Sequence, residues 1–109
     1  MNPKTSHSQE MGGVVWGMGM ALHENTEIDH RYGRMMTTNL ADYHVPSNAD
    51  VHSVETDFIE EEDKIVNALG VKGMGELCMV GIPAAIANAI FHATGKRVRD
   101  LPITVDKLL

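Results

Sequence analysis

Apolar residues at Met11, Val14, Val15, Met18 and Leu22 recur at three- and four-residue intervals, which predicts one face of a helix over about Gln9 to Glu24. Gly13, Gly17 and Ala21 stand four apart and form a ridge of small residues on another face. A glycine inside a helix costs about 0.8–1 kcal/mol relative to alanine, so Gly12, Gly13, Gly17 and Gly19 together cost roughly 3–4 kcal/mol. Such a helix needs something packed closely on its small face. Further on, Asp29-His-Arg-Tyr-Gly33-Arg34 reads as a turn with Gly33 as its flexible point. Asn39 to Pro46 is expected to run extended and to end at the proline. Val54, Thr56 and Phe58 alternate with Glu55, Asp57 and Ile59, the period of a half-buried strand.

The second half is punctuated more clearly. The acidic run Glu60, Glu61, Glu62 and Asp63 reads as a solvated turn leading into Asn67-Ala-Leu-Gly70. Gly70 to Gly81 places four glycines around one carboxylate, Glu76, and is expected to be a structured loop. Pro83 fits the first turn of a helix, Ala84 to Thr94 fills it, and Gly95 with Lys96 and Arg97 fits its C-terminal end. With so little charge, most of that helix's circumference should be buried. The tail is expected to pack back on the body. The fold class that follows is α+β: two long helices with a few short strands.

Composition narrows the chemistry. The chain has 109 residues, enough for one small domain that would bury about two-thirds of its unfolded surface. A formal charge of −6 argues against a nucleic-acid partner, because a phosphate backbone selects a basic face. The single cysteine, Cys78, excludes an internal disulfide framework and reads as a small hydrophobe. Eight methionines and ten glycines suit packing against a partner or cofactor, and equally an adaptable core. The apolar stretch Val14 to Leu22 is too short to span a bilayer and lacks the flanks of a signal peptide, so no membrane association is expected.

Generic motifs do not account for a function. Gly17-Met-Gly19 is followed by Leu22 where a dinucleotide fingerprint has glycine or alanine, and Gly70-Val-Lys-Gly73 lacks the phosphate-loop spacing. The six histidines show no ligand pair at helical spacing with a third ligand, so no metal ligand is assigned. Glu76 differs from the other acids. It follows Lys72-Gly73-Met74-Gly75 and precedes the N-terminal end of an apolar helix, where a carboxylate gains from the helix dipole. The flanking glycines leave room for a bulky ligand; the plainer alternative is a carboxylate that merely approaches the helix end.

Four landmarks in register give Glu76 a context. Gln9-Glu-Met-Gly-Gly13-Val-Val-Trp16-Gly17-Met-Gly19-Met-Ala21-Leu22 is similar to a Q-x-x-G-G-x-x-x-G-x-G-x-A-L helix. Asn39-Leu-Ala-Asp-Tyr43-His-Val-Pro46, Gly73-Met-Gly75-Glu76 and the tail from Gly95 to Thr104 follow in order. Together they resemble the C-terminal part of the molybdopterin-binding domain in molybdenum-binding subunits of the xanthine dehydrogenase family, closest to the bacterial aldehyde oxidoreductase type. The resemblance covers nearly the whole of residues 1–109.

It implies that Glu76 is the active-site base, that Gln9 contacts the pterin, and that the backbone of Gly73, Met74 and Gly75 lies against the cofactor. Trp16 stands where much of the wider family has glutamine, which makes substrate inference from xanthine-type relatives unsafe. The implied cofactor is a molybdenum–pterin, in the molybdopterin cytosine dinucleotide form, with iron–sulfur clusters and FAD on partner subunits or domains. The implied reaction is hydroxylation of aldehydes, or of N-heteroaromatics, with water-derived oxygen. The implied partners are the rest of the molybdenum subunit, the iron–sulfur and FAD subunits and a small-molecule substrate; the isolated chain is expected to be inactive. The implied compartment is the cytoplasm, or the periplasm if the chain is exported with a partner subunit. The alternative is a non-catalytic split or truncated gene product that acts as an assembly piece.

Overall fold

The computed structural model describes residues 2–109. Its longest element, helix α1, runs Pro3–Leu22 and starts six residues earlier than the apolar pattern predicts. The reason is local. Asn2 accepts a hydrogen bond from the Lys4 N–H through its side chain and Pro3 fills the first helical position, where a missing N–H costs nothing. Thr5 and Ser6 add hydroxyl donors to the Asn2 carbonyl at 3.1 and 2.9 Å. The first two turns therefore rest on capping, not on a hydrophobic stripe.

After α1 a hairpin forms from strands β1 (Ile28–Asp29) and β2 (Arg34–Met35), antiparallel, with Ile28 opposite Met35 and Asp29 opposite Arg34. Gly33 takes a φ of 61° in the turn between them, as expected for that position. Asn39 to Pro46 does not run extended. The Asn39 side chain accepts from the Ala41 N–H at 2.8 Å and the Asn39 carbonyl accepts from Asp42 and Tyr43, so the segment opens as a turn. Val54, Thr56 and Phe58 are half-buried between exposed Glu55, Asp57 and Ile59, so the alternation is real. No partner strand lies beside them among the described residues, and the segment forms no ladder.

Helix α2, Ile82–Thr94, begins with Pro83 in its first turn and ends at Gly95, whose φ of 73° lets its N–H reach the Phe91 carbonyl. The expected tail docking is present: the Ile103 N–H donates to the Ala21 carbonyl at 2.7 Å, and Pro102 and Ile103 are buried. Two helices and a two-stranded sheet make the α+β class.

The expected burial does not hold. A compact chain of this mass exposes about 5,900 Å², whereas this one exposes 8628 Å². Among the described residues Ala21 and Ile103 are the buried hydrophobic ones, while Leu77, Val80, Val71 and Ile65 stand more than half exposed. α2 lies with one side near α1 and most of its circumference open, contrary to what its lack of charge implies within a self-sufficient domain. Leu77–Thr94 is long and apolar enough, by length and composition alone, to cross a membrane. α2 itself has 13 residues, a length of about 20 Å against a hydrocarbon core of about 30 Å.

Candidate functional site

α1 and the glycine-rich loop meet closely, and glycine makes that possible. A Cβ placed on Gly13 would stand 3.3 Å from the Cys78 Cβ, the Gly75 carbonyl oxygen and the Met79 nitrogen. One on Gly17 would overlap Ile82, at 2.5 Å from its Cβ. The small ridge thus admits the loop at Gly13 and the start of α2 at Gly17, and Ala21 completes it with no exposed surface. Gly12 lies off the ridge, with nothing within 4 Å of its Cβ position.

This packing brings two of the sequence candidates together. Gly75 turns with a φ of 66°, and the Gln9 side-chain amide nitrogen lies 3.5 Å from where its Cβ would be. Gln9 and the loop are sixty-six residues apart in sequence and adjacent in space. Met74 is half-buried, and its carbonyl accepts from the Leu77 N–H at 3.3 Å. Gly73 has open space around its Cβ position. Glu76 precedes a 3-10 turn, Leu77–Met79, with its carbonyl accepting from the Met79 N–H at 3.1 Å. Its carboxylate is exposed and caps no backbone N–H, so it is not committed to holding the helix end. Cys78 is half-buried against Gly13.

The groups gathered here are an amide side chain that both donates and accepts, glycine-flanked backbone, and one free carboxylate that accepts. They suit the hydrogen-bonding edge of a large heterocycle. Among the described residues no group of three His, Cys, Asp or Glu forms a metal-ligand cluster. One buried side-chain oxygen on α1, Oε2 of Glu10, has no hydrogen-bond partner among the described residues.

The acidic run is more than a solvated turn. The Lys72 ammonium donates to Glu61 Oε2 at 2.8 Å and lies 3.2 Å from Asp63 Oδ2. Asp63 Oδ1 accepts from the N–H groups of Ile65 and Val66 at 2.8 and 3.0 Å. Those two N–H groups, then Lys72, hold the Asp63 carboxyl below its ordinary pKa, and Glu61 followed by Asp63 holds Lys72 above its own. On α1, His7 Nδ1 lies 2.8 Å from Thr56 Oγ1, and its ring packs 4.5 Å from that of Phe58. Neither Lys72 nor His7 stands out in the sequence. The available signal was a lone lysine eleven residues after Glu61 and directly before the glycine loop.

Comparison with known proteins bears on this geometry. The family model described as Molybdopterin cofactor-binding domain matches residues 1–52. The aldehyde oxidoreductase molybdenum-binding subunit of Escherichia coli (strain K12) is 48% identical over 100% of this chain, which spans 15% of that protein. The putative xanthine dehydrogenase molybdenum-binding subunit of the same organism is 36% identical over 99% of the chain and 14% of its own length. The crystal structure of quinoline 2-oxidoreductase from Pseudomonas putida 86 superposes on 97% of the chain and 14% of its own, with a TM-score of 0.84 and 31% sequence identity.

Proposed function

We propose, for a chain related along its whole length to one segment of the xanthine dehydrogenase-family molybdenum-binding subunits, that it supplies the proton acceptor and part of the pterin cradle of a molybdenum hydroxylase. The observation that carries this reading is the approach of the Gln9 amide to Gly75 beside the uncommitted, exposed carboxylate of Glu76. The relatives' names support an oxidoreductase that uses molybdenum. Aldehydes are the proposed substrates, with N-heteroaromatics second, as the quinoline-oxidising neighbour suggests.

The residues here fit such a cofactor. Gln9 offers both an amide donor and an acceptor to the pterin edge. Gly73 and Gly75, one on each side of Met74, let the loop backbone come close to it without a side chain of their own. When bound, the molybdenum–pterin group, proposed as the cytosine dinucleotide form, supplies the two-electron oxidation, and iron–sulfur clusters and FAD on partner subunits take the electrons onward. This chain's own contribution is narrower. Glu76 accepts a proton at its carboxylate as the oxygen nucleophile forms, which requires it within hydrogen-bond reach of that oxygen.

The bare apolar surface of α2 and the chain's 15% share of its relative's length support a role inside a larger subunit. The 109-residue chain alone is then inactive. In the assembled protein, Glu76→Gln keeps the size of the side chain and removes its basicity. Turnover should fall by about 10²–10⁴-fold with molybdenum content unchanged. Wild-type turnover in that variant would remove Glu76 from the base role.

A further inference from the structure

The loop that carries Glu76 is held on its α1 side by Gly13 and Gln9, and its other approach passes through Lys72. Gly73, between Lys72 and Met74, has no neighbour within 4 Å of its Cβ position. Residues 61–72 in turn form a closed knot. The Asn67 side chain accepts from the Leu69 and Val71 N–H groups at 3.0 and 3.2 Å and donates to the Val71 carbonyl at 2.7 Å. Gly70, at a φ of 64°, brings its Cβ position to 2.7 Å from the Asp63 carbonyl oxygen, so the chain returns on itself. Asp63 Oδ1 is occupied by two backbone N–H groups, which orients Oδ2 toward Lys72. Just upstream of the knot, His7 on α1 holds Thr56 and Phe58.

We propose that Lys72 is a positioning residue for the Glu76 loop: its ammonium, gripped by Glu61 and Asp63, closes a circuit from α1 through His7, Thr56 and the acidic run back to Gly75 and Gln9. This rests on the reading of Glu76 as proton acceptor. The same acidic run contains its own contrast. Glu62 pairs with Lys64 at 3.3 Å, and both side chains are about four-fifths exposed and lead nowhere. Exposed ion pairs contribute little to global stability. A displacement of about 1 Å at a reacting group, however, costs on the order of 10²-fold in rate. The effect of losing the clamp therefore shows in loop order and turnover, not in melting temperature.

The test compares Lys72→Met, Lys72→Arg, Lys64→Met and Glu76→Gln in the assembled protein, reading amide hydrogen exchange over residues 73–77 together with kcat, KM and molybdenum content. Lys72→Met should speed exchange there about tenfold and lower kcat about five- to twentyfold, with KM and molybdenum within about twofold. Lys72→Arg should restore both, because it keeps the charge and reach, and Lys64→Met should match the wild type. Raising salt from about 0.05 to 0.5 M should carry the wild type toward Lys72→Met, since exposed charges are screened. Unchanged exchange and kcat in Lys72→Met, or equal effects from Lys64→Met, would overturn the clamp. Glu76→Gln separates the two ideas. If that variant stays active while Lys72→Met loosens the loop, the base reading fails and the clamp stands; if it is dead while Lys72→Met is silent, the clamp fails alone. Should Lys72→Met not accumulate, Glu61→Gln removes one of the two acidic partners and should speed exchange less; no change would count against the proposal.

Discussion

The two faces of α1 and α2 are built on opposite terms. On its small face α1 meets the Glu76 loop tightly at Gly13, and at Gly17 it meets Ile82 so closely that a single added carbon would overlap it. Along the line where α2 runs beside α1, Ile82, Ala85, Ile86 and Ala89 face Val14, Met18 and Leu22 across a shallow, open apolar groove. The first region is closed by residues of this chain; the second stays open to solvent. A surface that is apolar and open costs free energy in water at about 25 cal/mol per Å², so its persistence argues for a partner surface. A junction already closed to van der Waals contact argues for positioning. The share of the glycine cost that falls on Gly13 and Gly17, roughly 2 kcal/mol, is offset at the junction, where close packing supplies dispersion and apolar burial.

The sharpest way to break this comparison is Gly17→Leu. Its Cβ would already collide with Ile82, and overpacking of this kind costs about 3 kcal/mol or more. The assembled protein should lose both thermal stability and molybdenum content, and normal loading would show that the ridge is incidental. Ala89→Asp probes the other face. Ala89 is exposed on the groove, so an acid there is nearly neutral if the face is free. In the assembled protein, covered by apolar surface, it should destabilise by about 2–4 kcal/mol, read as a lowered melting temperature; an unchanged melting temperature would leave the face without a partner. The smallest effect belongs to Gly12→Ala, off the ridge with nothing near its Cβ position. Helix propensity alone should then stabilise by about 0.5–1 kcal/mol, and a loss of stability would mean that Gly12 is packed in the assembly.

Legibility in the sequence followed the range of the interactions. α2 was readable nearly to the residue because Pro83 and Gly95 mark its ends chemically. The start of α1 was missed because Lys4 to Ser8 are polar and carry no periodic stripe; the Asn2-Pro3 cap was the available sign. Segment 54–58 shows the alternation of a strand but not its hydrogen bonds, since a ladder needs a neighbour that alternation cannot supply. α2 was expected to be buried because it carries so little charge, and composition alone does not say whether these residues supply enough chain to cover it. As for the site, Glu76 stood out through its glycines, whereas the nearness of Gln9 followed from a family resemblance and no spacing rule. Lys72 was hidden altogether, because pairing across eleven residues of irregular chain leaves no periodic trace.

The most direct test of the central claim is the distance from the Glu76 carboxylate to the reacting centre in a structure of the assembled, cofactor-loaded protein. Glu76 should lie within hydrogen-bond reach of the oxygen that attacks substrate, about 2.6–3.2 Å or through one water, with Gln9 and the Gly73–Gly75 backbone against the pterin. A Glu76 turned away from the cofactor, with no water bridging the gap, would contradict the account.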